Sequence, residues 1–184
     1  MPQVLAIAGS PSHPSRTYSI LESATRILEA EQISTQILSV RDLPAEALLF
    51  AQFDHEAIVQ AASLVEQANA LIIATPVYKA AYTGVLKAFL DLLPQTALAG
   101  KPILPIATGG TIAHLLSIDY ALKPILSALG ARYILAGAYF VDSQVQRNED
   151  GSIQLEPEAE QRLQNSVQDL VAAFRPAPVA AISR

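Results

Sequence analysis

At 184 residues the chain has the length of one α/β domain, and its complete lack of cysteine excludes disulfides, thiolate nucleophiles and zinc ribbons. A formal net charge of -5 offers no general attraction to nucleic acid or an anionic membrane, and no apolar run approaches membrane-spanning length, so neither partner is expected. With 51% hydrophobic and only 16% charged residues, the chain is expected to cover part of its surface by self-association.

Short β-type runs alternate with amphipathic helical stretches. VLAIA (4–8) reads as the first strand, and the following helix face is marked by Ile20, Ala24, Ile27 and Leu28. TQILSV (35–40) is the second strand, with Ile58, Ala62 and Val65 marking the next helix; ALIIAT (70–75) is the third, followed by Val85, Phe89 and Leu93. PILPIA (102–107) leads to a stripe of Leu115, Ile118, Leu122, Ile125 and Leu129, then to a fifth strand, YILAGAYF (133–140). The last helix carries Ala159, Leu163, Val167, Leu170 and Phe174. Residues 1–174 therefore read as a single domain, and RPAPVAAISR (175–184), with two prolines and no helical stripe, as a loose tail.

Four of the five strands are continuous apolar runs, the pattern of strands buried on both faces. Alternation with helices implies right-handed crossovers and a doubly wound, five-stranded parallel sheet with helices on both faces, expected in the flavodoxin-like order 2-1-3-4-5. Ligands in such sheets sit at the carboxyl ends of the strands, which singles out loops 9–17, 75–82 and 108–114.

Loop 9–17 places Ser10, Ser12, Ser15, Arg16 and Thr17 just ahead of a helix N-terminus, a donor set suited to one phosphate monoester. Neither Gly-x-Gly-x-x-Gly nor a Walker-type loop is present, which disfavours a pyrophosphate or triphosphate cradle. The alternative is that these residues only cap a helix, since Ser19 and Glu22 have capping-box spacing. In loop 75–82, Pro76 stiffens the backbone while Tyr78 or Tyr82 can flank a planar ring. Gly109 and Gly110 let the backbone approach a ligand closely or adopt positive φ; the alternative is a plain turn. The three histidines, His13, His55 and His114, lack metal-ligand spacing, so no metal is expected; His114 either touches a ligand or, preferably, caps the fourth helix. No basic segment precedes the first apolar run, which makes the cytoplasm the expected location.

Two long segments, ATPVYKAAYTGVLKAFLDLLP (74–94) and ATGGTIAHLLSIDYALKPILSALGA (107–131), resemble the NAD(P)H-dependent FMN reductases that supply reduced flavin to alkanesulfonate monooxygenases. The resemblance runs from the first strand through DSQ (142–144). It implies a flavodoxin-like subunit that takes free FMN as a substrate, reduces it with NAD(P)H, NADPH included, and passes FMNH2 to a separate FMNH2-dependent monooxygenase in sulfonate-sulfur assimilation. It also implies phosphate contacts from Ser10, Ser15, Arg16 and Thr17, and ring contacts from Pro76, Val77, Tyr78, Lys79, Thr108, Gly109 and Gly110. Related reductases often read Gly-Ser-x-Arg-x-x-Ser in the first loop; here Ser12 stands where that Arg would be. Two alternatives on the same fold are an FMN-retaining quinone or azo reductase and a flavodoxin-type electron carrier.

Hydride transfer between stacked rings needs no protein acid or base, only positioning and support for developing charge; backbone N–H groups near Gly109 and Gly110 are candidates, and Lys79 a weaker one. No acidic residue for a ribose and no arginine for a 2′-phosphate stands at a recognisable spacing, so NADPH and NADH are not separated. Pro124 cannot donate to the Tyr120 carbonyl, which predicts a kink or π-bulge there. By resemblance, Tyr120 lies in a π-helical bulge at a subunit interface of a homotetramer or homodimer and favours flavin transfer over retention; the alternative is an ordinary interface or core aromatic.

Overall fold

A computed structural model of the chain describes residues 4–148 and 152–174. The expected tail, 175–184, lies outside the described residues. In chain order the principal elements are β1 (Val4–Ala8), α1 (Arg16–Ala30), β2 (Thr35–Ser39), α2 (Ala45–Leu49), α3 (Glu56–Gln67), β3 (Ala70–Pro76), α4 (Gly84–Leu90) and β4 (Pro102–Gly109). A 3-10 turn (Ile112–His114) and a π turn (Ile118–Leu122) lead into α5 (Lys123–Ala128), then β5 (Tyr133–Ile134), β6 (Ala138–Val141), β7 (Val145–Arg147), β8 (Ile153–Leu155) and α6 (Pro157–Phe174).

The main sheet runs β2-β1-β3-β4-β5, with β6 also on β4, and every pairing in it is parallel. This is the expected flavodoxin-like order. Side-chain alternation divides the core: Leu5, Ile7, Leu71 and Ile73 point to one face with residues of α3, α4 and α5. Val4, Ala6, Ile72 and Ala74 point to the other, against Ile20 and Leu28 of α1 and Leu163 and Val167 of α6. Each fully buried Leu or Ile contributes about 1.5–3 kcal/mol, and the central strands supply them on both sides.

The fifth strand differs from expectation. Residues 133–140 are not one run: β5 and β6 pair with β4 in registers that differ by one residue, Ile103 opposite Ile134 but Ile106 opposite Ala138. The Ile103 carbonyl accepts from the Leu135 N–H at 2.9 Å, so by alternation Pro105 faces the same neighbour and has no N–H to offer it. The chain bulges past that gap at Gly137, whose φ of 94° only glycine adopts freely and whose added β-carbon would lie 2.9 Å from the Pro105 carbonyl.

The π turn occupies Ile118–Leu122, as Pro124 predicts: the Lys123 N–H reaches back to the Ile118 carbonyl, five residues away. The apolar stripe through this region is not uniformly buried. Leu122 and Leu129 are in the core, whereas Leu115 is exposed. The short helix α2 and the antiparallel β7–β8 hairpin are additions to the expected elements. Among the described residues, no helix is long and apolar enough to cross a membrane and no cluster of residues could hold a metal ion.

Candidate active site

Strands β1, β3 and β4 end at the same sheet edge, and their loops are bonded to one another. Gly9 donates its N–H to the Ala74 carbonyl at 2.7 Å, and the Thr83 hydroxyl donates to the Gly9 carbonyl. The Ser12 and Tyr78 hydroxyls lie 3.2 Å apart, and those of Thr17 and Thr108 2.6 Å apart. Val77 donates its N–H to the Thr108 carbonyl at 2.7 Å. Side chains from all three expected loops therefore fix one another at the topological switch point beside β1.

In the first loop, Ser15 is the N-cap of α1, its hydroxyl accepting from the Tyr18 N–H at 3.2 Å. The capping-box alternative at Ser19 and Glu22 is not realised, because α1 begins at Arg16 and Ser19 is buried within it. No acidic residue stands in the first turn of α1, so nothing there repels an anion. Ser10 is buried, and its hydroxyl accepts from the Ser12 N–H at 3.3 Å. Thr17 is buried against Thr108, while Arg16 turns outward, its guanidinium 4.0 Å from the Asp142 carboxylate in the turn after β6.

In the second loop, Pro76 and Val77 are half-buried and Tyr78 is 47% exposed. Tyr78 and Ala81 exchange both backbone hydrogen bonds across a two-residue turn, which puts Lys79 and Ala80 at φ of 50° and 63°. Two consecutive non-glycine residues in the left-handed region cost on the order of 1 kcal/mol or more each, so the surrounding bonds hold this turn against strain. Thr83 caps α4 by accepting from the Leu86 N–H at 3.2 Å, and its own N–H donates to the Thr75 hydroxyl at 3.1 Å.

In the third loop, neither Gly109 nor Gly110 has positive φ, which corrects that part of the expectation. Gly109 is needed for space: a β-carbon would lie 2.3 Å from the Tyr139 hydroxyl, which donates to the Thr111 carbonyl at 2.8 Å. Burial, with the Asp142 charge second, pushes the Tyr139 phenol up, so it remains a donor at neutral pH. Gly110 is exposed with open space around it, leaving backbone accessible to a flat ring. His114 does not cap a helix; Thr111 does, accepting from the Ala113 N–H at 3.3 Å. Tyr120 is 79% exposed, and Ile112, Leu115 and Leu116, which precede it in the chain, are exposed as well.

One constituent was missed in the sequence. A cavity of about 310 Å³ on the β2 side of the first loop is lined by Ser10, Ser12, His13, Ser15, Tyr18 and, from the end of β2 and just after it, Ser39, Arg41 and Asp42. Arg41 follows the carboxyl end of a strand paired with β1, and that position in the topology is the signal that could have found it. Burial is the main cause, with Glu22 and then Asp42 adding to it, that pushes the Tyr18 phenol up and keeps it protonated.

Taken together, the residues fit a flavin mononucleotide: hydroxyl donors and a helix N-terminus at one end, an exposed aromatic, a proline and accessible glycine backbone at the other. The comparisons agree. The chain is 52% identical over 143 residues to an FMN reductase (NADPH) of Escherichia coli (strain K12), covering 78% of this chain and 75% of that protein. It is 48% identical over 180 residues to an FMN reductase (NADPH) of Pseudomonas putida, covering 96% and 91%. The crystal structure of an NADH:FMN oxidoreductase in its apo form superposes with a TM-score of 0.85 at 37% identity, covering 97% of this chain and 92% of that one. Residues 2–146 match the model of the family described as NADPH-dependent FMN reductase, and the chain is an oxidoreductase belonging to that family.

Proposed function

We propose that the chain reduces FMN with NADPH and releases the reduced flavin to a separate monooxygenase, the FMN entering and leaving as a substrate. The observation that carries this reading is the bonding of three loops into one open edge beside β1, with phosphate-type donors on one loop and flat, accessible surfaces on the other two. Bound FMN supplies the N5 position that accepts a hydride from the nicotinamide. The protein's part is positional. Ser10, Ser15 and the first turn of α1 hold the phosphate end; Pro76, Val77 and Tyr78 back the ring, with Lys79 beside them, and Thr108 to Gly110 meet its polar edge. Arg16 and Thr17 brace the loop through Asp142 and Thr108.

The exposed edge suits a ligand that exchanges, because the Tyr78 side chain is half open to solvent and no segment of the described residues closes over Gly110. The surface carrying Tyr120 serves assembly into a homotetramer or homodimer and favours release of the flavin. Sulfonate-sulfur assimilation is the proposed setting, by the resemblance of segments 74–94 and 107–131.

The test is NADPH oxidation followed by absorbance, with and without a large excess of FMN. Turnover that appears only with FMN and saturates with it is the expected result. NADPH consumption without added flavin, seen only when a quinone or azo compound is supplied, would instead identify a reductase that retains its flavin.

A further inference from the structure

The first loop supplies hydroxyls to the cavity beside β2, but its own Arg16 is not part of the lining. Ser10 and Ser15 are 4% and 8% exposed, and both hydroxyls are engaged only as acceptors, from the Ser12 and Tyr18 N–H groups. Each hydroxyl retains a proton to donate, and among the described residues neither has an acceptor. Two hydroxyls with O–H groups not used within the described residues thus line one cavity and can donate to an acceptor placed there.

Arg41 lines the same cavity and forms no hydrogen bond or ion pair among the described residues. Arg16, the guanidinium expected at this loop, is directed instead toward Asp142 beyond β6 and is not among the cavity's lining residues. Asp42 is the opposing group in the lining. Its charge acts on the Tyr18 phenol, a neutral donor that lines the same cavity.

We propose that Arg41, reaching across from the carboxyl end of β2, is the guanidinium that binds a phosphate monoester in this cavity, together with the Ser10 and Ser15 hydroxyls. Guanidinium and hydroxyl donors match a dianionic monoester, with three terminal oxygens on one phosphorus, better than a bridging pyrophosphate, which has two non-bridging oxygens and a single charge on each phosphorus. The assignment rests on the proposed FMN reductase reading, in which two molecules carry a phosphate monoester: FMN at its 5′ end and NADPH at its adenosine 2′ position. Strand spacing of about 4.8 Å places the cavity some three strands, or about 14 Å, from the β4 side of the ring-binding loops, within reach of an extended ligand.

The experiment compares Arg41→Gln with wild type against two ligand pairs that differ only in a phosphate. Binding of FMN and of riboflavin is read by quenching of flavin fluorescence, and KM is measured for NADPH and for NADH at saturating flavin. If the cavity takes the flavin phosphate, the variant binds FMN about tenfold more weakly, the loss expected of one exposed charge-assisted contact, and riboflavin unchanged. If it takes the 2′-phosphate, KM for NADPH rises by a similar factor while that for NADH holds. In either case Arg41→Lys recovers part of the loss, and the effect shrinks at high salt. Equal changes within both pairs, or none, overturn the assignment. Wild type that binds no flavin and oxidises no NADPH overturns the reductase reading with it, whereas wild type active on both with an unselective Arg41→Gln overturns the assignment alone.

Discussion

At the scale of single residues, Gly109 shows how tightly the site's backbone is packed from beneath. A β-carbon there would lie 2.3 Å from the Tyr139 hydroxyl and 3.3 Å from its ring carbon Cζ, so the hydroxyl is the part that must yield. Gly109→Ala is expected to cost about 1–3 kcal/mol, as overpacking does, and also to break the bond from Tyr139 to the Thr111 carbonyl. Tyr139→Phe alone loses that one bond, about 1 kcal/mol. In the double variant the clash is gone, so denaturant unfolding should show a cost well below the sum; strict additivity would refute the packing account. The sequence displays the glycine pair but not its cause, because Tyr139 reaches Gly109 only through the register that sets Gly109 opposite Val141. Arg41 was illegible for a similar reason: it is remote in sequence from Ser10 and Ser15 and joins them only when β2 pairs with β1. Ser15, by contrast, announces itself as a hydroxyl before a helix, though nothing local says whether the cap is Ser15 or Ser19.

At the scale of elements, the π turn at Ile118–Leu122 is where helix geometry and surface chemistry meet. Pro124 has no N–H for the Tyr120 carbonyl, and with the turn widened it falls at the second position of α5, where a helix needs none. The extra residue rotates what precedes it by about 100° relative to α5, the angle per residue of a helix. A stripe at spacings of three and four misjudged Leu115 because it lies between the 3-10 turn and the π turn, outside either, and is exposed, while Ile118, Leu122, Leu126 and Leu129 are buried. Tyr120 lies at the centre of the turn, and among the described residues only its backbone is hydrogen-bonded, donating to the Leu116 carbonyl at 3.0 Å. Replacing it by alanine should leave the fold intact. Tyr120→Ala is expected to retain FMN through purification and to lose steady-state reductase turnover, read from the flavin absorbance of the purified protein and the NADPH oxidation rate. Unchanged flavin content and rate would remove Tyr120 from flavin transfer. The kink was legible because proline acts locally, as were the strands β1, β3 and β4, whose apolar runs are near-continuous, and β2 by its position in the alternation. The break between β5 and β6 was not, since the missing donor that causes it belongs to Pro105 on the neighbouring strand.

At the scale of the whole molecule, eight of the ten exposed large apolar side chains among the described residues fall into two groups on different elements, Tyr78 and Tyr133 standing apart. Ile112, Leu115, Leu116 and Tyr120 flank the π turn, while Leu49, Phe50, Phe53 and Val59 lie between the end of α2 and the start of α3. Single exposed apolar residues are ordinary, but two such groups on one chain are more than a soluble monomer usually carries. If each group pairs with its own copy across a two-fold axis, the two axes combine into a dihedral tetramer. Light scattering should therefore give a tetrameric mass for the wild type. A buried, unpaired carboxylate in one patch should split the assembly at that interface alone, so Leu116→Glu and Phe50→Glu should each yield dimers, and the two together monomers. The two dimers should differ in function: Phe50→Glu leaves the Tyr120 surface paired and should turn over like wild type, whereas Leu116→Glu should retain FMN as Tyr120→Ala does. A monomeric wild type would refute assembly through either patch, and a tetramer that survives both substitutions would place its interfaces elsewhere.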